Sequence, residues 1–351
     1  MKLPVPSTNG LRTLAHHLDG WSWRDGDRLQ IARTVAAMAR AVVEIRDLLS
    51  LGALAGPFGA RTGKWGDVDP QRELDVLANT KVIAALRDAP VATLVSEELD
   101  EPLSLSPTGH LIVAVDPLDG ASNADTNAAI GTIFSVLPET GEGAKVALGT
   151  GTRQHAAGFA VYGPQTVFVL TLGQGTDVFT LDPASATFKL TSAGVQIPVQ
   201  AAEFAINAAN HFHWDETIRS YVDNCLRAEE APPAVSYNMR WTGSFVAEIF
   251  RILVRGGIYL YPGDARPAFR DGRLRLAYEA SPVAFIVEQA GGAASTGRQR
   301  ILDVPVHAWH QRTPVIIGSR NEVAHVDRLY GEPFLAAERS PLFNRRGLFR
   351  V

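Results

Sequence analysis

Apolar residues recur every three or four positions from Leu29 through Ile31, Val35, Met38, Val42, Ile45 and Leu49. That spacing predicts one long amphipathic helix, closed at Gly52. Asp27 carries a short carboxylate able to accept first-turn N–H groups and is the expected cap. Asp69 and Pro70 read as the N-cap and first residue of a second helix reaching about Leu86. Within it Asp75 lies between Leu74 and Leu77, near the buried edge, where a lone carboxylate needs a metal or an arginine. Short apolar runs at 91–95, 111–114, 130–137 and 166–172 predict strands, and 176–190 a hairpin turning at Asp182–Pro183. Residues 154–158 are expected to open a short helix. The first 26 residues, with His16, His17, Trp21 and Trp23, show no readable period.

The second half restarts with a strand ending at Asn207 and a helix over 215–226. A helix over 244–254 follows Gly243, and a strand ends at Tyr261. Residues 273–279 carry Glu279 to Ser281 and Pro282, which read as the cap and first residue of a helix over 283–290. A late strand at 314–317 precedes Ser319 and Glu322, whose spacing matches a capping box for a helix ending near Tyr330. Residues 191–202, low in charge and holding Gly194 and Pro198, form a plausible boundary. Strands and helices alternate throughout, which favours a layered α/β architecture with mixed sheets.

Composition narrows the function. The chain has 351 residues and a formal charge of -4, so a nucleic-acid partner, which would call for a basic surface, is not expected. No run reaches the length of a membrane span and no signal-type segment opens the chain, so a membrane or exported protein is not expected either. The single cysteine, Cys225, excludes an intrachain disulfide framework and fits a reducing, cytoplasmic setting. Its neighbours predict a helix, where it packs rather than reacts.

The candidate chemistry centres on VDPLDGASN, 115–123. A buried strand delivers Asp116 to its end, Pro117 is expected to stop that strand, and a turn through Leu118, Asp119 and Gly120 returns a second carboxylate. Two close carboxylates repel unless a cation or proton lies between them. The N–H groups of Ala121, Ser122 and Asn123 are placed to form an anion nest. Glu97 and Glu98 end another strand, and Asp69, Asp75 and Glu279 complete the acidic set. Oxygen donors without a spaced Cys or His set select magnesium, with manganese as a substitute, and the Leu118 carbonyl is a further candidate ligand. Such a cluster points to phosphate-ester hydrolysis. The glycine-rich 52–68, with Arg61, Lys64 and Trp65, is expected to be a mobile loop over that site. Neither a P-loop nor a dinucleotide-binding glycine motif occurs.

These stretches also resemble a known family. VDPLDGASNADTN, SEE at 96–98, LDVLAN at 74–79, RWTGSFVAEIFRILVRGGIYLYP at 240–262 and LRLAYEASPVAFIVEQAGG at 274–292 are similar to class I fructose-1,6-bisphosphatases. They occur in the same order, from about residue 30 to 330. The resemblance implies an α/β/α/β/α sandwich of the sugar-phosphatase type with mixed sheets. The domains would be 1–198, carrying most metal ligands, 199–335, carrying a distal phosphate site, and a tail over 336–351. It implies release of the 1-phosphate of D-fructose 1,6-bisphosphate. A seven-carbon or dual-specificity bisphosphatase is the alternative, and a non-catalytic relative a remote one.

Metal ligands would be Glu97, Glu98, Asp116, Leu118, Asp119 and Glu279. Asp69, Asp75 and Glu98 would act on the attacking water. Asp119, Gly120, Ala121 and Ser122 would line the 1-phosphate end, and Asn207, Arg240, Trp241, Tyr261 and Arg273 the distal end. A homotetramer is implied, with Arg240 reaching a neighbouring subunit's site. Trp241 and Asn210 stand where the family commonly has tyrosines, and Arg273 where it has lysine, so the pocket is expected to be retained but retuned. Ala121 replaces a serine. His110–Leu111 replaces a Lys–Tyr pair associated with AMP inhibition, so that inhibition is expected to be weak or absent.

Overall fold

The computed structural model describes residues 10–55, 73–139, 149–226 and 236–331. Asp69, Arg61, Lys64, Trp65 and the tail over 336–351 lie outside these residues.

Helices α1 (Leu14–Trp21), α2 (Gly26–Leu51) and α3 (Glu73–Leu86) form the first layer. Of the apolar period expected for α2, Ile31, Val35, Met38, Val42 and Ile45 are core, Leu49 is partly buried and Leu29 in the first turn is exposed. Its cap is Asp25 rather than Asp27, since Asp25 Oδ1 accepts the Arg28 N–H at 3.0 Å. Asp27 falls in the first turn, where its charge still suits the positive helix end. The early region without a readable period contains α1, eight residues capped by the Thr13 side chain, too short to display a period.

The second layer is an eight-stranded sheet in the order β2-β1-β3-β4-β5-β6-β7-β8. Its strands are β1 (Val91–Ser96), β2 (Leu103–Ser104), β3 (Leu111–Asp119), β4 (Ile130–Pro138), β5 (Ala156–Tyr162), β6 (Thr166–Thr171), β7 (Thr176–Asp182) and β8 (Thr187–Ser192). Only β1 and β3 run parallel; the remaining pairs are antiparallel. β3 is a continuous apolar run because both of its faces are covered. Leu111, Val113 and Val115 pack with the first helical layer, whereas Ile112 and Ala114 pack with Tyr278 and Trp309. Residues 154–158 do not open a helix. A single 3₁₀ turn, Gly151–Arg153, leads straight into β5, whose small Ala156, Ala157 and Gly158 fit against Phe134 and the neighbouring strand.

Continuing along the chain, the remaining strands are β9 (Glu203–Ala205), β10 (Asn238–Met239), β11 (Ile258–Tyr261), β12 (Leu274–Arg275), β13 (Ala293–Ser295), β14 (Arg312–Thr313) and β15 (Val315–Gly318). Five of them form a mixed sheet in the order β10-β9-β11-β15-β13, and β12 pairs with β14. The helices here are α4 (Glu216–Leu226), α5 (Phe245–Arg255), α6 (Ser281–Gln289) and α7 (Arg320–Gly331). Side-chain alternation sorts them. Tyr259, Val315 and Ile317 face α5 and α6, which also pack against Ile133, Phe159 and Val169 of the first sheet. Ile258, Leu260 and Ile316 face α4 and α7 on the other side. The layers therefore run helix, sheet, helix, sheet, helix, the α/β/α/β/α sandwich expected. Among the described residues no helix is long and apolar enough to cross a membrane.

Two expected caps are replaced by other contacts. Ser281 is the first residue of α6 and not its N-cap. A π-helical turn, Leu276–Ala280, runs directly into it, and Ser281 already has helical φ -66 and ψ -46. Ser319 and Glu322 do not form a capping box. The fully buried Ser319 hydroxyl donates to the Pro198 carbonyl at 2.6 Å and accepts the Gly257 N–H at 3.0 Å. Glu322 instead accepts the Tyr221 and Tyr237 hydroxyls. Tertiary partners have taken both side chains from the helix end. Ser319→Ala is therefore expected to strand a buried donor and acceptor and to cost about 2 kcal/mol, read as a lower urea midpoint; an unchanged midpoint would refute this account.

Candidate metal centre

The parallel pairing of β1 and β3 sets Ser96 beside Val115, and the next residue, Glu97, donates its N–H to the Val115 carbonyl at 3.1 Å. Glu97 is thus carried alongside Asp116. Pro117 does not stop β3. The strand continues to Asp119 through a register shift, with Asp116 opposite Ile133 and Asp119 opposite Gly131. Three steps on β3 match two on β4, so one extra residue is accommodated. In a regular strand, residues three apart point to opposite faces. The bulge cancels that inversion, so both aspartates turn to one side. Pro117 is tolerated because its missing N–H falls within the bulge, and its carbonyl accepts from Thr132 Oγ1 at 2.8 Å. The Leu118 N–H donates to Asp116 Oδ1 at 2.9 Å, fixing the first carboxylate.

Glu279 arrives from the other side of the sheet on the π-helical turn before α6, a feature that recurs at functional sites. Its Oε2 accepts the Arg275 N–H at 2.6 Å, and Arg275 Nη2 lies 3.7 Å from Glu97 Oε1. Carboxylate oxygens of Glu97, Asp116 and Glu279 all fall within 4.8 Å of one another. Asp119 stands beside this group, with Oδ2 accepting from the Val246 N–H at 3.0 Å and from the Ser244 hydroxyl at 3.1 Å. It is held at the N-terminus of α5, where unpaired N–H groups favour negative charge.

Burial pushes the Asp116 carboxyl well above the ordinary range, and the charges of Glu97, Glu279 and Asp119 push it further. Burial raises Glu279 as well, with Glu97 and Asp119 adding to it and Arg275 opposing. Burial raises Asp119 from the ordinary 3.8 to about 6, against hydrogen bonds from Val246, Ser244 and Phe245. A change of that size is about 3 kcal/mol against ionisation. Desolvation therefore outweighs the helix terminus, worth about 1 kcal/mol. All-oxygen donors that are buried and mutually repelling suit a hard divalent cation, whose charge removes the repulsion.

The other expected residues take different places. Asp75 is buried in α3. Glu98 is half-buried, its N–H donating to Ser96 Oγ, which in turn donates to Asn79 Oδ1 at 2.9 Å. Neither joins the group of three carboxylates. Gly120 takes φ 73 and opens a 3₁₀ turn, Ala121–Thr126, so Ala121 and Ser122 follow Asp119 in a helical turn.

Of the residues expected at a distal phosphate site, Trp241, Tyr261 and Arg273 meet around aromatic rings. Trp241 stacks on Tyr259 with centroids 5.9 Å apart and meets Tyr261 edge-on at 5.7 Å. The Arg273 guanidinium lies 5.6 Å from the Tyr261 ring centre and 3.7 Å from that of Phe269. Asn207 caps the next turn, accepting the Ala209 N–H at 3.2 Å, and Asn210 accepts from Arg266 at 2.8 Å. Arg240 is half-exposed, its Nε 3.6 Å from Glu203 Oε1 of the same chain.

Comparison with known proteins fits this geometry. Residues 29–193 match the family model described as Fructose-1-6-bisphosphatase, N-terminal domain, and 197–331 match that of the C-terminal domain. The chain belongs to the class I fructose-1,6-bisphosphatase family. A class 1 fructose-1,6-bisphosphatase of Nitrobacter hamburgensis is 52% identical over 340 residues, covering 97% of this chain and 99% of that protein. One from Rhodopseudomonas palustris is 50% identical over 341 residues, with the same coverage. The holo form of Leishmania major fructose-1,6-bisphosphatase superposes with a TM-score of 0.84 at 33% identity, covering 93% of this chain and 100% of that one.

Sequence reasoning missed Ser244 and Arg275, which hold the acidic residues, Thr132 and Asn79, which hold the backbone and the Ser96 side chain beside them, and Tyr259 and Phe269, whose rings meet Trp241 and Arg273. Ser244 was legible as a helix start, but nothing in the sequence paired it with Asp119.

The raised carboxyls fix a pH dependence for the metal-free protein. A carboxyl with a raised folded pKa contributes its full stability below about pH 4, the unfolded value, and loses it as pH rises through the folded one. For Asp119 that loss runs through about 6, and Asp116 and Glu279, also raised by burial and by their neighbouring carboxylates, add to it in the same direction. Thermal scans in chelator should show wild type losing stability over this interval. Asp116→Asn should flatten the loss, raise the metal-free Tm at about pH 8 by about 5 °C and lose most of the gain from added divalent cation. A variant less stable than wild type in chelator at that pH would contradict it.

Proposed function

We propose that this protein hydrolyses the 1-phosphate of D-fructose 1,6-bisphosphate, releasing fructose 6-phosphate and inorganic phosphate, with Mg2+ as cofactor and Mn2+ as a substitute. The observation that carries the chemistry is the convergence of Glu97, Asp116 and Glu279 within 4.8 Å. The substrate follows from family membership across both matched regions and from relatives named for this activity.

Glu97, Asp116 and Glu279 hold the metal, with Glu98, Asp119 and the Leu118 carbonyl as further ligands. When bound, the metal neutralises phosphoryl charge and acidifies water. Asp75 and Glu98 orient the attacking water and take its proton, with Asp69 joining from the preceding segment. N–H groups from Gly120 to Ser122 face the 1-phosphate at the start of their turn, and Arg275 holds Glu97 and Glu279 in register for their task. Asn207, Arg240, Trp241, Tyr261 and Arg273 bind the 6-phosphate, Trp241 offering an indole N–H and Arg273 a guanidinium.

This reading takes residues 1–198 and 199–335 as the two domains, followed by the 336–351 tail. It also takes the assembly as a cytoplasmic homotetramer in which Arg240 reaches the neighbouring site. AMP is not an effective inhibitor, because the exposed His110 and the buried Leu111 do not offer the ammonium and phenol of the Lys–Tyr pair.

Phosphate release from a panel of six- and seven-carbon sugar bisphosphates, with and without Mg2+, tests the reading. Fructose 1,6-bisphosphate should give the highest kcat/KM. Chelator or Asp119→Ala should lower turnover at least about 100-fold while the fold survives. Full activity under either condition refutes the mechanism, and preference for the seven-carbon sugar reassigns the substrate.

A further inference from the structure

Thr242 lies between the two ends of the site and is held from both sides of its backbone. Its N–H donates to Glu248 Oε1 at 2.7 Å, and its carbonyl accepts from Asn123 Nδ2 at 2.9 Å. Asn123 belongs to the turn that follows Asp119, and Thr242 directly follows Arg240 and Trp241. The other oxygen of Glu248 accepts from Arg251 Nε at 3.1 Å. Arg251 Nη1 then donates to Glu203 Oε2 at 2.7 Å, and the second Glu203 oxygen faces Arg240 Nε at 3.6 Å. One carboxylate thus meets the Arg240–Trp241 arm twice, through backbone at Thr242 and through two side chains at Arg240.

Glu248 is fully buried in the first turn of α5, beside Val246 and Ile249 of the core. A carboxylate there is costly to desolvate, and packing alone would be served by an apolar residue. Both of its oxygens are spent on the arm and its brace.

We propose that Glu248 is a positioning residue for the arm that presents Arg240 and Trp241 to the distal phosphate, and that Asn123 ties this arm to the turn beside the carboxylate cluster. This rests on the assignment of the distal site made above. Pairing at Nε leaves the geometry of Arg240 compatible with a phosphate on its Nη groups. Neither Glu248 nor Asn123 acts on the reacting phosphoryl group: the Asn123 N–H, expected in the anion nest, is instead donated to the Gly120 carbonyl at 2.8 Å, and its side chain faces Thr242. Their signature is therefore weaker binding of the unreactive end with the chemical step retained.

The test is steady-state hydrolysis of fructose 1,6-bisphosphate by the full-length, Mg2+-loaded protein, with product inhibition by fructose 6-phosphate, which keeps the distal phosphate. Asn123→Ala and Glu248→Ala should each raise KM and the fructose 6-phosphate inhibition constant about tenfold, with kcat changed less than about threefold. Glu248→Gln, which keeps an acceptor for the Thr242 N–H, should restore most of the affinity. Should Glu248→Ala not fold, Asn123→Ala decides, because its bond lies at the exposed edge. Unchanged KM in Asn123→Ala, or kcat and Tm falling together with affinity, overturns the proposal. Arg240→Ala is the reference. If it raises KM and the others do not, only this inference falls; if it too leaves KM unchanged, the distal-site assignment falls and takes the inference with it.

Discussion

Asp116, Asp119 and Glu279 are buried within reach of one another and of the half-buried Glu97, and the surrounding structure answers to that constraint. Like charges in a low-dielectric setting push one another toward protonation. Only a rigid frame keeps them close until a cation arrives. The parallel β1–β3 pair supplies one part of the frame and the one-residue bulge in β3 a second. The π-helical turn before α6 supplies another, and the N-terminus of α5 the last. The first two lie within the eight-stranded sheet and the last two in the helical layer packed on it, so the contact between these two layers brings the carboxylates to one point.

The sequence revealed the carboxylates more readily than the devices that aim them. Asp116 and Asp119 stood out because a buried run leads directly into them, and an apolar run needs no partner to be read. The bulge was hidden because register depends on β4: Pro117 looks like a strand end until Thr132 is seen to satisfy its carbonyl. Glu279 was legible, but the π-helical turn that rotates it was not, since Ser281–Pro282 imitates a capped helix start. The same failure explains Ser319. Its spacing to Glu322 is that of a cap, yet Gly257, Pro198 and two tyrosines offer buried partners that a helix end at the surface would lack. At Ser319 the local signal was overruled because its polar side chain found partners far away in sequence. The layered α/β class survived because it rests on apolar periodicity, which tertiary contacts reinforce.

The aromatic residues join α5 to the Arg240–Trp241 segment physically. Tyr259 packs on Phe245, the first residue of α5, and stacks on Trp241 of the distal arm. Its hydroxyl is pushed well above its ordinary range, by burial first and then by Tyr261, Asp119 and Glu279, so it stays neutral and serves as a packed spacer. Trp241 in place of a tyrosine fits this arrangement, because an indole covers Tyr259 more fully and still carries one donor.

α5 is consequently the common support. Its first N–H groups and capping Ser244 take Asp119, and Glu248, four residues beyond Ser244, takes the peptide N–H of Thr242. A helix is stiff over one turn, so a displacement of Asp119 along the α5 axis is passed to Thr242 at nearly full size. Asn123 closes the loop by returning from Thr242 to the turn behind Asp119. The spacing between Asp119 and the Arg240–Trp241 arm of the same chain is then tied to one helical turn and two hydrogen bonds. Moving the Arg240–Trp241 arm against α5 would break the hydrogen bond from the Thr242 N–H to the fully buried Glu248 carboxylate.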